Sequence, residues 1–146
     1  MKRLLTAALV ALAFVSCSPD RLAGQYQVQN VYGDMEIEPT EYHRIVYTVM
    51  EQCTGIKGDF SQVRWFIAKA ITVIHTESGT GYMANGLYRH PDYTEDGRPH
   101  IYTDYEHAFE GETISHEILH DLYKGDAPLD VAQRCMLTWR RLRVIR

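Results

Sequence analysis

His116-Glu117-Ile118-Leu119-His120 is the stretch whose residue types and spacing can do chemistry. Two histidines four apart lie on one face of a helix, about one turn from each other, so their imidazoles can converge on one metal ion. Glu117 is rotated off that face. It is poorly placed as a ligand and well placed to take a proton from water at the metal. Imidazole donors with an adjacent carboxylate base are the parts of metal-assisted hydrolysis, and the H-E-x-x-H spacing points to zinc. Each histidine alone reads as an ordinary helix residue; the combination carries the argument. A catalytic zinc also needs a third protein donor and an open position for water. Asp126 is the first candidate and Asp130 the alternative, with Glu112 and His107 as upstream candidates. Asp121, directly after His120, reads as a solvated helix residue or as an acceptor for an imidazole N–H.

These residues need elements to hold them. Ile114, Ile118 and Leu122 form an i, i+4, i+8 stripe, which predicts a helix over about 111–124 with the histidines off the apolar face. Gly125 ends it and Pro128 prevents its continuation. Upstream, Thr40 is a candidate N-cap without a full capping box, because His43 stands at the third helical position. Tyr42, Ile45, Val46, Val49, Met50 and Cys53 recur at helical spacing until Gly55 and Gly58. Val63, Trp65 and Ile67 alternate, Ile71, Val73 and Ile74 follow, and both runs predict strands, with one helix over Phe66 to Ile74 as the alternative. Tyr82 to Tyr88 predicts a short strand flanked by glycines, and His100 to Tyr105 a last one. A final helix is expected over about 130–142, with Met136 in the core. Together these predict an α+β fold: a small twisted mixed sheet packed on the H-E-x-x-H helix, with one N-terminal and one C-terminal helix.

The start of the chain reads as an export signal. Lys2 and Arg3 precede an apolar run from Leu4 to Val15, too short to span a bilayer as a stable helix. Phe14-Val15-Ser16-Cys17 resembles a bacterial lipobox, which makes Cys17 the expected lipidation site. Ser18 then favours an outer-membrane destination on the periplasmic side. Residues 1–16 are thus expected as a lipoprotein signal peptide, 17–38 as a tether and 39–146 as the folded domain. Loss of the signal leaves 13 basic and 19 acidic residues, a formal charge of −6. That charge argues against nucleic acid as a partner. The basic residues Arg134, Arg140, Arg141, Arg143 and Arg146 gather at the C-terminus and read as a solvated face. Cys53 and Cys135 remain, and in an exported chain such a pair is expected to bond.

The helix–sheet–metal-helix order and the H-E-x-x-H motif resemble the zincin fold of small zinc metallopeptidases, metzincin- and snapalysin-like. The resemblance covers residues 40 to 136 in layout and the metal helix in motif. It implies Zn2+ bound by His116, His120 and Asp126, or Asp130 in its place. Asp126 stands six residues past His120, the offset of the third metzincin histidine and of the snapalysin aspartate. The glycine of those patterns is replaced by Tyr123, and a left-handed Gly125 is expected to turn Asp126 toward the metal. No glutamate follows Glu117, which excludes the gluzincin arrangement. Glu117 is implied as general base, with Tyr88, Tyr102, Tyr105 or Tyr123 as an oxyanion donor. The implied partner is a peptide or protein substrate, extended along a sheet edge at Tyr82 to Tyr88 and met by a lipid-anchored monomer. Two other functions fit the same residues: a zincin-like binding or scaffold lipoprotein without catalysis, and a zinc amidase acting on cell-wall material.

Overall fold

A computed structural model describes residues 27–75 and 79–144, and apolar spacing sorts these described residues into short strands and three α-helices. In chain order these are β1 (Gln27–Tyr32), β2 (Met35–Ile37), α1 (Glu41–Thr54), β3 (Arg64–Ala68), β4 (Ala70–His75), β5 (Gly81–Met83), β6 (Gly86–Arg89), β7 (His100–Asp104), α2 (Gly111–Tyr123) and α3 (Leu129–Val144). The signal peptide, Cys17 and the tether up to residue 26 lie outside the described residues. Among the described residues no helix is long and apolar enough to cross a membrane.

The three helices share one core because each carries a buried stripe. Val46, Tyr47 and Met50 of α1, Ile114, Ile118, Leu119 and Leu122 of α2, and Cys135 and Trp139 of α3 meet there. Cys53 and Cys135 are disulfide-bonded with Cα atoms 5.6 Å apart, tying α1 to α3 as expected. α1 starts at Thr40, whose backbone N–H donates to His43 Nδ1 at 3.2 Å. Histidine here fills the place that Glu or Gln takes in a capping box, so the box absent from the sequence pattern is present in the fold. α1 ends where Gly55 turns left-handed (φ 74°) and its N–H donates to Glu51 O at 2.8 Å.

The strands fall into two hydrogen-bonded sets. β1, β4 and β5 form one, in the order β1-β4-β5, all antiparallel. The other has the order β2-β3-β7-β6, with β3 and β7 parallel and β2 and β6 antiparallel to their neighbours. Period-two alternation gives this four-stranded sheet two faces. Trp65, Tyr88 and Ile101 point into the helical core, while Phe66, Leu87 and Tyr102 join Ile71 in a second cluster toward β4.

The expected α+β architecture, with the H-E-x-x-H helix against a mixed sheet, is found. Two boundaries differ. Residues 27–37, expected in the tether, form β1 and β2: Gln27–Tyr32 shows no apolar period of its own and is a strand because it pairs with β4, which a sequence window cannot show. The single strand expected over Tyr82 to Tyr88 is two strands, β5 and β6, which pair into different sheets. The break at Ala84-Asn85 lets the chain pass from one sheet to the other.

Candidate metal centre

α2 brings the two histidines together as the sequence predicts. His116 Nε2 and His120 Nε2 lie 3.2 Å apart. Two nitrogens each about 2.0–2.1 Å from a tetrahedral zinc lie about 3.3 Å from one another, so the pair fits a shared metal in donor type and in spacing.

The helix terminus sets the tautomer. Lys124 takes the left-handed position (φ 51°), and Gly125 follows at φ 157°. The expected reversal at Gly125 therefore occurs one residue earlier. The Gly125 N–H donates to His120 O at 3.0 Å, and the Gly125 carbonyl turns back to within 3.0 Å of His120 Nδ1. A carbonyl only accepts, so Nδ1 carries the proton and the Nε2 lone pair faces His116. Tyr88 of β6 stacks on the His120 ring, with centroids 6.3 Å apart and planes 16° apart. Burial, with His120 nearby, pulls His116 down to about 4. Its imidazole is neutral near pH 7 and open to a metal.

Glu117 is 5% exposed. Burial pushes its carboxyl up to about 8. It sits beneath Gly86 of β6: a Cβ added there would lie 2.6 Å from Glu117 Oε1. Only glycine lets the strand approach this closely. Sequence reasoning missed this contact, although the glycines flanking the expected strand were its signal.

Asp126 reaches His120 from the other edge of the ring. Its Oδ1 lies 3.8 Å from Nδ1, the nitrogen turned away from His116. Asp130 is exposed in the first turn of α3. The upstream candidates are engaged elsewhere: Arg140 donates to both Glu112 oxygens at 2.7 and 2.8 Å, and His107 Nδ1 pairs with Asp104 Oδ1 at 2.6 Å. Among the described residues no three of His, Cys, Asp and Glu converge into a metal-holding group. The centre thus has two assembled donors and one carboxylate beside them.

Asp121 corrects an expectation. It is fully buried, not solvated, and accepts from Tyr47 Oη at 2.6 Å and Lys124 Nζ at 2.7 Å. It braces the end of α2 against α1, and those bonds go to neither imidazole. Of the four tyrosines considered as donors, Tyr88 stands against His120. Tyr102 lies on the opposite sheet face, Tyr105 is 79% exposed, and Tyr123 packs at the edge of the helical core.

Comparison with protein-family models, with curated proteins and with solved structures finds no match to this chain.

Proposed function

We propose that this chain is a zinc-dependent metallopeptidase that hydrolyses peptide bonds in the bacterial cell envelope. The observation that carries the reading is the 3.2 Å approach of the two Nε2 atoms beside a buried glutamate, under an edge strand. His116 and His120 would hold zinc, with Asp126 as third donor and Asp130 as its alternative. Bound zinc supplies a positive charge that lowers the pKa of its water to about 7.

The chain's own residues do the rest. Gly125 holds the Nδ1 proton of His120 and so aims Nε2. Tyr88 covers the same ring and keeps bulk water from that side. Glu117, which burial alone leaves protonated near pH 7, would be ionised beside the bound cation; its carboxylate then takes a proton from the attacking water and delivers it to the leaving amine nitrogen. The β6 edge offers backbone groups to an extended peptide, and Gly86 keeps that approach open above Glu117. Lipidation at Cys17 would hold the domain at the outer membrane, facing periplasmic substrates.

A second reading is a zincin-like scaffold lipoprotein, favoured by the absence of a converged third donor among the described residues. Cell-wall amide hydrolysis would use the same proton chemistry. Metal analysis separates the leading reading from the scaffold. Purified protein is expected to carry stoichiometric zinc, to cleave a denatured protein substrate, and to lose cleavage while staying folded when a chelator removes the metal. Zinc-free protein that neither binds added zinc nor cleaves would support the scaffold.

A further inference from the structure

The sheet face opposite the metal centre carries a cavity of about 480 Å³, lined by Arg64, Phe66, Arg89, Tyr93, His100 and Tyr102 among others. Strand register explains the grouping: His100 of β7 sits between Arg64 of β3 and Arg89 of β6, and Phe66 beside Tyr102. Phe66 and Tyr102 stack with centroids 4.7 Å apart, and the Arg89 guanidinium lies over Tyr102 at 5.0 Å.

The polar groups form a directed chain. His100 Nε2 meets the Asp96 carboxylate at 2.9 Å, so that nitrogen carries the proton. His100 Nδ1 then accepts from the Tyr102 hydroxyl at 3.2 Å. Asp96 also accepts from Arg64 Nη1 at 2.7 Å, and Arg64 is paired a second time with Glu36. Arg64 is thus neutralised by two carboxylates. Arg89 is half-buried and, among the described residues, has no carboxylate within salt-bridge distance. Its guanidinium keeps N–H donors for an incoming anion. Glu95, also on the wall, is exposed and its charge is screened by water.

Position gives the ligand. β6 is the edge strand of its sheet. Its Gly86 and Tyr88 face the metal centre; Leu87 packs in the apolar cluster on the other side of the sheet, where Arg89 lines the cavity. A peptide paired on that edge alternates its own side chains between the same two faces. We infer that the cavity receives an acidic side chain of the extended substrate, with Arg89 as its charge partner and the Tyr102–Phe66 stack as its apolar wall. The inference rests on the docking of a peptide along β6 in the reading above.

The test uses the full chain with Glu117→Gln, so that substrate is bound and not consumed. Two acetylated, amidated heptapeptides, identical except for one Glu or Gln, are compared by fluorescence anisotropy. The Glu peptide is expected to bind about tenfold more tightly, with the difference shrinking as salt is raised. Arg89→Gln should bring the Glu peptide to the affinity of the Gln peptide. Equal affinity of the two peptides for the protein with Arg89 intact overturns the inference, as does failure of both to bind. Hydrolysis that survives Glu117→Gln would sink the role of Glu117 and leave this preference standing. A missing preference with Glu117-dependent hydrolysis intact would sink the cavity alone.

Discussion

Gly86 and Glu117 show how closely the centre depends on single atoms. A methyl group at residue 86 has no room above the Glu117 carboxylate. Gly86→Ala is expected to cost about 1–3 kcal/mol of stability through overpacking and to lower turnover by displacing the carboxylate. Urea unfolding and a peptidase assay check the two parts separately. The buried groups also set a pH signature in the metal-free protein. His116, held near 4 against an ordinary 6.5, is neutral when folded and takes up a proton on unfolding, so its contribution is lost as pH falls from 6.5 toward 4. Glu117, raised to about 8 from 4.5, keeps a proton when folded that the unfolded chain releases, so its contribution is lost as pH rises from 4.5 to 8. Between 4.5 and 6.5 the two slopes oppose each other; above 6.5 that of Glu117 remains. The melting temperature of chelated protein should therefore fall between these upper limits, 6.5 and 8, and fall less in Glu117→Gln. His107, raised by Asp104, titrates in the same direction in both proteins and drops out of the comparison. Equal declines would mean that Glu117 holds no proton there.

At the scale of elements, α2 is fixed at both ends by its neighbours. Gly111 lies against Trp139 of α3 so closely that a Cβ there would be 2.1 Å from Trp139 Nε1. At the other end the Tyr47–Asp121 bond joins α2 to α1. Tyr47→Phe leaves a buried carboxylate with one partner fewer and is expected to cost about 1–3 kcal/mol, read by chemical denaturation. The disulfide spans 82 residues of sequence. Replacing both Cys53 and Cys135 by serine is expected to cost up to about 4–5 kcal/mol through the freed unfolded chain. The helices, β3, β4 and β7 were legible from the sequence because their apolar residues repeat at the right period. So was the pairing of the two histidines, since helical spacing alone brings them together. What could not be read depends on contacts distant in sequence. β1 is a strand because β4 pairs with it, Asp121 is buried because Tyr47 reaches it, and Gly86 matters because Glu117 lies beneath it. The turn after α2 takes its left-handed residue at Lys124, one before the glycine that the sequence offers for it, and Asp126 beyond it lies on the Nδ1 side of His120.

Across the whole molecule, one four-stranded sheet separates two environments. Its helical side holds the H-E-x-x-H residues against β6, and its other side holds the Arg89 cavity. Both meet at the same edge strand, so a bound peptide would touch each with alternate side chains. In the proposed function Glu117, set between two histidines that would hold zinc, moves the proton from water to the leaving amine. Its most direct test is hydrolysis of a peptide mixture by wild-type protein and by Glu117→Gln at equal, measured zinc content. That role requires cleavage by the wild type and a loss of about 10²–10⁴-fold in the variant with zinc retained. Undiminished cleavage by the zinc-loaded variant, or no cleavage by the zinc-loaded wild type, would contradict it.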